Sequence, residues 1–210
     1  MSNHPSITFG AAPLSIEDIV AFARTDVHAQ ISADNSLREK IDSAVAFLDD
    51  LLEKEGVIYG VTTGYGDSVT VGIPLQLVQE LPLHLTRFHG CGLGQYFSNA
   101  QSRAILATRL TSLTQGYSGV SWPLLNLLRD MINKQILPLI PQEGSVGASG
   151  DLTPLSYVAG AMVGERDVYY KGEIKNSLEV MQELGLKPLK LRPKEGLAVM
   201  NGTAVMTALA

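Results

Sequence analysis

A chain of 210 residues, 45% hydrophobic and 18% charged, has the balance of a folded protein with one respectable core or two small ones, which excludes a disordered chain. Its net charge of −5 argues against a nucleic-acid surface, which needs a basic excess. Cys91 is the single cysteine of the sequence, so an intramolecular disulfide and a paired-cysteine metal site are excluded.

The first residues, Met1-Ser2-Asn3-His4-Pro5, carry no basic stretch leading into an apolar one, so no signal peptide is read there. No run approaches the roughly 18 apolar residues of a membrane helix, and the expectation is a soluble, cytoplasmic protein with no membrane partner. Ser15-Ile16-Glu17-Asp18 reads as a capping box that starts a helix. A second helix starts near Asn35 or Ser36, carries Leu37, Ile41, Ala44, Val45, Leu48, Leu51 and Leu52 at helical spacing, and ends at Gly56. Val57-Ile58-Tyr59 is apolar and β-prone, and breaks into the glycine-rich stretch from Gly60 to Gly66. Ser98 with Gln101 opens a helix holding Ala104, Ile105 and Leu113, and Ser121 before Trp122-Pro123 opens another. Val168 to Ile174 reads as a small hairpin. Lys194 to Ala210 reads as one helix, and the sequence stops inside the apolar run Ala204 to Ala210, which predicts a fragment of a longer protein. No repeat and no strand–helix alternation is visible. The class expected is mainly α with minor short β segments.

The densest functional candidate runs from Gln142 through Gly144-Ser145-Val146-Gly147-Ala148-Ser149-Gly150 to Asp151-Leu152-Thr153-Pro154. Asp151 stands where it can cap the helix that follows, and Pro154 falls in the first turn. The plain reading is a loop feeding a helix. A phosphate-binding loop needs Lys then Ser or Thr after its last glycine, and Asp151 is there instead. A nucleophile elbow needs Gly-x-Ser-x-Gly, and Ser149 is followed directly by Gly150. Gly90-Cys91-Gly92-Leu93-Gly94 lacks a preceding strand and a third glycine at the dinucleotide spacing, and reads as helix-end glycines. Ala148-Ser149-Gly150 permits a rarer chemistry. If the Gly150 nitrogen is pressed onto the Ala148 carbonyl, the backbone cyclises, and loss of two waters leaves an exocyclic methylidene. The positive end of the following helix would face that ring.

With these residues the sequence resembles the ammonia-lyases and aminomutases that act on histidine, phenylalanine and tyrosine through a 4-methylidene-imidazole-5-one group (MIO). Tyr59-Gly60-Val61-Thr62-Thr63-Gly64-Tyr65-Gly66 looks like their inner-loop signature, with Tyr65 where phenylalanine is more usual. Gly144 to Leu155 looks like the MIO segment, and Glu195-Gly196-Leu197-Ala198-Val199-Met200-Asn201-Gly202-Thr203 like a third block. The resemblance implies that Ala148, Ser149 and Gly150 form MIO autocatalytically, without metal or nucleotide. It also implies that Tyr59 removes the substrate β-proton and that Asn201 lies beside the ring and the substrate carboxylate. Gly66, Phe88, His89 and Asn201 are the substrate-binding residues it suggests. Read without it, Tyr59 is a strand tyrosine packed under a loop and Asn201 a helix asparagine bonded to a neighbour.

The chemistry needs these parts because the β-proton is barely acidic and the amine leaves poorly. An electrophile on the amine and a positioned base address both difficulties. A phenol serves as that base only with donors or positive dipoles nearby. The ring-contacting pair falls at Phe88-His89, which matches none of the usual pairs of the family. Phe88 favours an aromatic ring, His89 can bond a phenol hydroxyl, and Thr62 leans the same way. The order of expected substrates is L-tyrosine, L-phenylalanine, L-histidine, with an arylacrylate and ammonia as products. A histidine ammonia-lyase, a 2,3-aminomutase and a non-catalytic relative are the alternatives. The resemblance implies the N-terminal part of the ammonia-lyase fold, helical in the manner of fumarase and aspartase. It further implies a central bundle and C-terminal part beyond residues 1–210, and a homotetramer whose sites combine subunits. The chain alone is therefore expected to be inactive and to self-associate through an apolar face.

Overall fold

The computed structural model describes residues 5–54, 56–146 and 150–210. Ser15 starts the first helix as its sequence dictates. Its hydroxyl accepts from the Asp18 amide at 3.2 Å, and the Asp18 carboxylate accepts from the Ser15 amide at 2.8 Å. This helix, α1 (Ile16–Arg24), joins two short strands, β1 (Ser6–Phe9) and β2 (His28–Ile31), that pair in parallel from Ser6↔His28 to Phe9↔Ile31. The sequence reading expected no such unit. Four-residue strands carrying His28 and Gln30 are too short and too polar to register as a period-two pattern. Asn133 holds the outer edge of β2, accepting from the Ala29 amide at 2.7 Å and donating to the Ala29 carbonyl at 2.9 Å.

The next helix, α2 (Asn35–Lys54), buries Leu37, Ile41 and Leu48, and Gly56 beyond it takes a positive φ of 65°. Val57-Ile58-Tyr59 forms no strand; Tyr59 and Gly60 lie in a turn, and Val57 is largely exposed. A short 3-10 turn over Gly66–Thr70 leads to α3 (Leu75–Val78), α4 (Leu81–Phe88) and β3 (Leu93–Tyr96). Gly92 and Gly94 are more than helix-end glycines. Side chains there would collide with Pro141 and Glu143 of the strand paired with β3.

The helix α5 (Asn99–Leu113) opens on the Ser98–Gln101 capping box, and α6 (Trp122–Asn133) opens after Ser121 with Pro123 in its first turn. Two short strands, β4 (Leu137–Pro138) and β5 (Pro141–Glu143), precede α7 (Leu152–Met162). The predicted hairpin is β6 (Asp167–Tyr170) with β7 (Glu173–Asn176), turned at Lys171-Gly172 and extended by β4 into a three-stranded sheet. α8 (Ser177–Glu183), α9 (Glu195–Met200) and α10 (Ala204–Leu209) complete the described chain. The class is mainly α with short strands, as expected.

One continuous core runs through α5, α6, α7 and α9, with Ile105, Leu106, Leu110, Leu124, Leu128, Met131, Val158, Met162 and Val199 fully buried. α5 is buried nearly all round, which marks it as the central helix. The stretch from Lys194 to Ala210 is two helices rather than the single one its apolar pattern predicts. Asn201 is extended at the end of α9, and Gly202 takes a φ of 155°, which breaks the helix there. The pattern carries across the break because Val199 and Met200 before it and Ala204 and Val205 after it bury into the same core. Among the described residues no helix is long and apolar enough to cross a membrane.

Candidate active site

The inner loop is built by two threonines. The Thr62 hydroxyl accepts from the Ile58 amide at 2.7 Å, and the Thr63 hydroxyl accepts from the Gly60 amide at 3.1 Å and donates to the Gly64 carbonyl at 3.0 Å. Both are buried, so Thr62 shapes the turn that carries Tyr59. Gly60, with a φ of 67°, lies so close to Tyr65 and Leu197 that a Cβ would fall 2.7 Å and 2.9 Å from them. This seats the loop on α9. Tyr59 presents its phenol outward, 51% exposed, where the Gly66 amide donates to Oη at 3.1 Å. That is a donor of the kind base chemistry at this oxygen requires. Gly66 thus meets the Tyr59 phenol directly. Tyr65 stands edge-on to Tyr59 at 6.3 Å, and burial, with the Tyr59 phenol adding, pushes its own phenol up to about 12. The tyrosine held neutral and packed is Tyr65; the exposed one is Tyr59.

At the start of α7, Gly150 is buried and pairs in parallel with Gly202. Ala148 and Ser149 lie outside the described residues, as does Gly147. The ends of this loop are drawn together on either side of them. The Val146 amide donates to the Gly150 carbonyl at 3.3 Å, and the Ser145 hydroxyl donates to the Asp151 carboxylate at 2.9 Å. Asp151 does not cap α7 with its side chain as its position predicts. Its carboxylate, fully buried, turns to α10 and accepts from the Val205 amide at 2.9 Å and the Met206 amide at 3.1 Å. Those two donors open a helix whose own N-cap, Thr203, supplies no side-chain acceptor, so a buried charge is better spent there than on α7. The sequence reading missed this because the partners lie 54 and 55 residues away.

Phe88 and His89 end α4, with ring centroids 5.1 Å apart and nearly perpendicular. Phe88 is 80% exposed. His89 Nδ1 lies 3.1 Å from the Leu85 carbonyl, which can only accept, so Nδ1 carries a proton and, in the neutral ring, Nε2 is the acceptor. α4 is packed against α9 so closely that a Cβ on Gly196 would fall 2.8 Å from the Pro82 carbonyl, and Thr86 meets the sulfur of Met200. Just beyond α4 the Gly92 amide donates to Tyr157 Oη of α7 at 3.2 Å. Cys91, exposed, sits 4.0 Å from Thr153 at the same helix start. Arg87 makes a surface ion pair with Glu165, and His84 Nε2 lies 3.5 Å from the Glu80 carboxylate.

Three segments thus gather around α9 and the turn after it: the inner loop on Leu197, α4 on Gly196 and Met200, and Gly150 on Gly202, with exposed Asn201 between. The large groove of about 1380 Å³ between α1, α5 and α10 includes Asn201 but not Tyr59, Gly66, Phe88, His89 or Gly150. It meets the gathered segments at Leu197, Asn201 and Gly202. Besides Asp151, the sequence reading missed Arg109 of α5, which donates to the Asn201 carbonyl at 2.9 Å. No motif marks it, because an arginine in an apolar helical pattern reads as a solvent-facing residue.

A sequence model of the family described as aromatic amino acid lyase matches residues 14–210. A histidine ammonia-lyase of Staphylococcus aureus is 44% identical over 195 residues, 93% of this chain and 38% of that one. Among solved structures, the ergothioneine-degrading enzyme ergothionase of Treponema denticola superposes with a TM-score of 0.91 at 35% identity, over 97% of this chain and 41% of that one. A tyrosine aminomutase of Streptomyces globisporus superposes with a TM-score of 0.88 at 35% identity, over 98% and 38%. The chain therefore spans about two fifths of the length of the relatives it matches.

Proposed function

Because the chain belongs to the aromatic amino acid lyase family, we propose that residues 1–210 are the electrophile-bearing region of a longer ammonia-lyase. It eliminates ammonia from L-tyrosine or L-phenylalanine. The observation that carries the reading is the gathering of Tyr59, Gly150, Asn201 and the Phe88-His89 pair by elements packed on α9.

The residues around the loop fit an MIO group made from Ala148, Ser149 and Gly150. The Val146–Gly150 backbone bond and the Ser145–Asp151 side-chain bond draw together the described ends on either side of the loop, and glycine at 150 offers the least hindered attacking nitrogen. When formed, that group supplies a carbon electrophile for the substrate amine. Tyr59 takes the β-proton at its Oη, which the Gly66 amide supports at 3.1 Å. Asn201 supplies a side-chain amide for the substrate carboxylate. α7 directs the positive end of its eleven-residue dipole at the loop. Phe88 offers a ring face to the substrate ring. His89, with Nδ1–H committed to Leu85, presents Nε2 as an acceptor, which suits the phenol hydroxyl of tyrosine.

The longer enzyme, given each aromatic amino acid in turn, is expected to release 4-coumarate from L-tyrosine and cinnamate more slowly from L-phenylalanine. Urocanate from L-histidine as the sole product would overturn the substrate reading. The 44% identity to a histidine ammonia-lyase favours that second reading, against which Phe88 stands as an apolar neighbour for an imidazole. A β-amino acid among the products would indicate an aminomutase, as the likeness to the tyrosine aminomutase suggests. We propose a homotetramer for the longer enzyme, with subunits covering the exposed Tyr59 and Phe88. The 210-residue chain by itself is expected to be inactive, and arylacrylate formed above the buffer rate would refute that.

A further inference from the structure

α5 is a largely buried helix, yet it carries Arg109 with only 4% of its surface exposed. Burying a guanidinium is costly unless its donors find acceptors that no neutral side chain reaches. Here Nη2 donates to the carbonyls of Ala198 and Asn201, the latter at 2.9 Å, and Nη1 meets the Ser112 hydroxyl at 3.5 Å. These carbonyls belong to the C-terminal end of α9, where unpaired acceptors and the negative end of the helix dipole favour a cation. Burial pulls the guanidinium down to about 10, against the opposing charge of Asp151.

The same guanidinium fills the space beside Gly202. A Cβ there would fall 2.6 Å from Nη1, and the φ of 155° would itself strain any other residue. Gly202 pairs with Gly150, and three residues on, Val205 donates to Asp151. A continuous set of contacts therefore runs from Arg109 through Asn201 and Gly202 to Gly150 and Asp151.

We infer that Arg109 is a positioning residue: its buried guanidinium, spanning the Ala198 and Asn201 carbonyls, fixes the Asn201-Gly202 turn and through it the backbone of Gly150. Its importance for catalysis rests on the reading of the Ala148–Gly150 loop as the electrophile, but its effect on the backbone does not. A lysine cannot replace it, because Nη2 serves both carbonyls while Nη1 meets Ser112 and fills the space beside Gly202, and a single ammonium cannot occupy both places.

A second buried arginine on the same helix provides the control. Arg103, 8% exposed, donates to the Thr25 and Val27 carbonyls beside α1 and β2, away from the gathered segments. Hydrogen–deuterium exchange on Arg109→Lys, Gly202→Ala and Arg103→Lys, read peptide by peptide against α6, separates a local role from general support. Arg109→Lys and Gly202→Ala are each expected to speed exchange about tenfold over residues 145–155 and 198–206, with α6 unchanged. Arg103→Lys should loosen residues 25–29 and leave residues 145–155 at the wild-type rate. Uniform acceleration by Arg109→Lys, or a wild-type rate over residues 145–155, overturns the inference. So does the same acceleration there by Arg103→Lys. If Arg109→Lys does not fold, Gly202→Ala decides alone, since it crowds the guanidinium without removing it. The intact mass of the wild-type chain, taken alongside, shows separately whether the loop has cyclised, so a failure of the electrophile reading is distinguishable from a failure of this one.

Discussion

Removing the Asp151 carboxylate should loosen the loop and α10 together, and the structure sets the size of the effect. The carboxylate accepts three hydrogen bonds, from Ser145, Val205 and Met206. Bonds to a charged group contribute about 1.5–3 kcal/mol each, but these three share one acceptor and do not add. In Asp151→Ala, water can reach Ser145 and the Met206 backbone region, both exposed, whereas Val205 stays buried. One orphaned buried amide plus the lost cap amounts to about 2–4 kcal/mol. Asp151→Asn keeps an oxygen for the α10 amides, and the Ser145 hydroxyl can turn to accept from the new amide, so the cost falls to about 1–2 kcal/mol. Urea unfolding followed by circular dichroism reads both. A cost for Asp151→Ala below about 1 kcal/mol, or equal costs for Ala and Asn, would refute the claim that this carboxylate ties the two elements together.

Three other consequences follow from the inner loop. Gly60→Ala forces a Cβ to 2.7 Å from Tyr65 at a φ of 67°, and should cost about 1–3 kcal/mol in thermal or urea unfolding. Tyr59→Phe removes one exposed hydrogen bond and should change stability by less than about 1 kcal/mol. In the longer enzyme the same change should lower kcat by about a hundredfold or more, so an unchanged kcat would remove Tyr59 from the base role. Tyr65, pushed up to about 12 in the fold, keeps a proton that an unfolded tyrosine releases near its ordinary value of 10. Its contribution to stability is therefore complete below pH 10 and declines as the pH rises towards 12. Tyr65→Phe should flatten the alkaline limb of a stability–pH curve, and an unaltered limb would count against the burial argument.

The helix starts at Ser15 and Ser98 were legible because capping is local chemistry, written within four residues, and the start after Ser121 because Pro123 suits a first turn. The β6–β7 hairpin was legible for the same reason. What escaped the sequence depends on partners far along the chain. The parallel pairing of β1 with β2 is decided by packing of α1 on α5 rather than by strand pattern. The break at Asn201 is hidden because apolar residues continue on both sides of Gly202. Tyr59, Gly150, Asn201 and the Phe88-His89 pair could be named from motifs, and the structure gathers the elements that carry them. The residues that hold those elements in place, Asp151 across to α10 and Arg109 beneath Asn201, belong to no local pattern.

The central claim is that Ala148-Ser149-Gly150 becomes an electrophile, and intact mass spectrometry of the longer enzyme, with Ser149→Ala as control, tests it most directly. The account predicts a wild-type mass two waters below that of the sequence, with the loss confined to the peptide holding residues 148–150, and an undiminished mass for Ser149→Ala. A wild-type enzyme that is folded and active in elimination, yet has the full mass of its sequence, would contradict it.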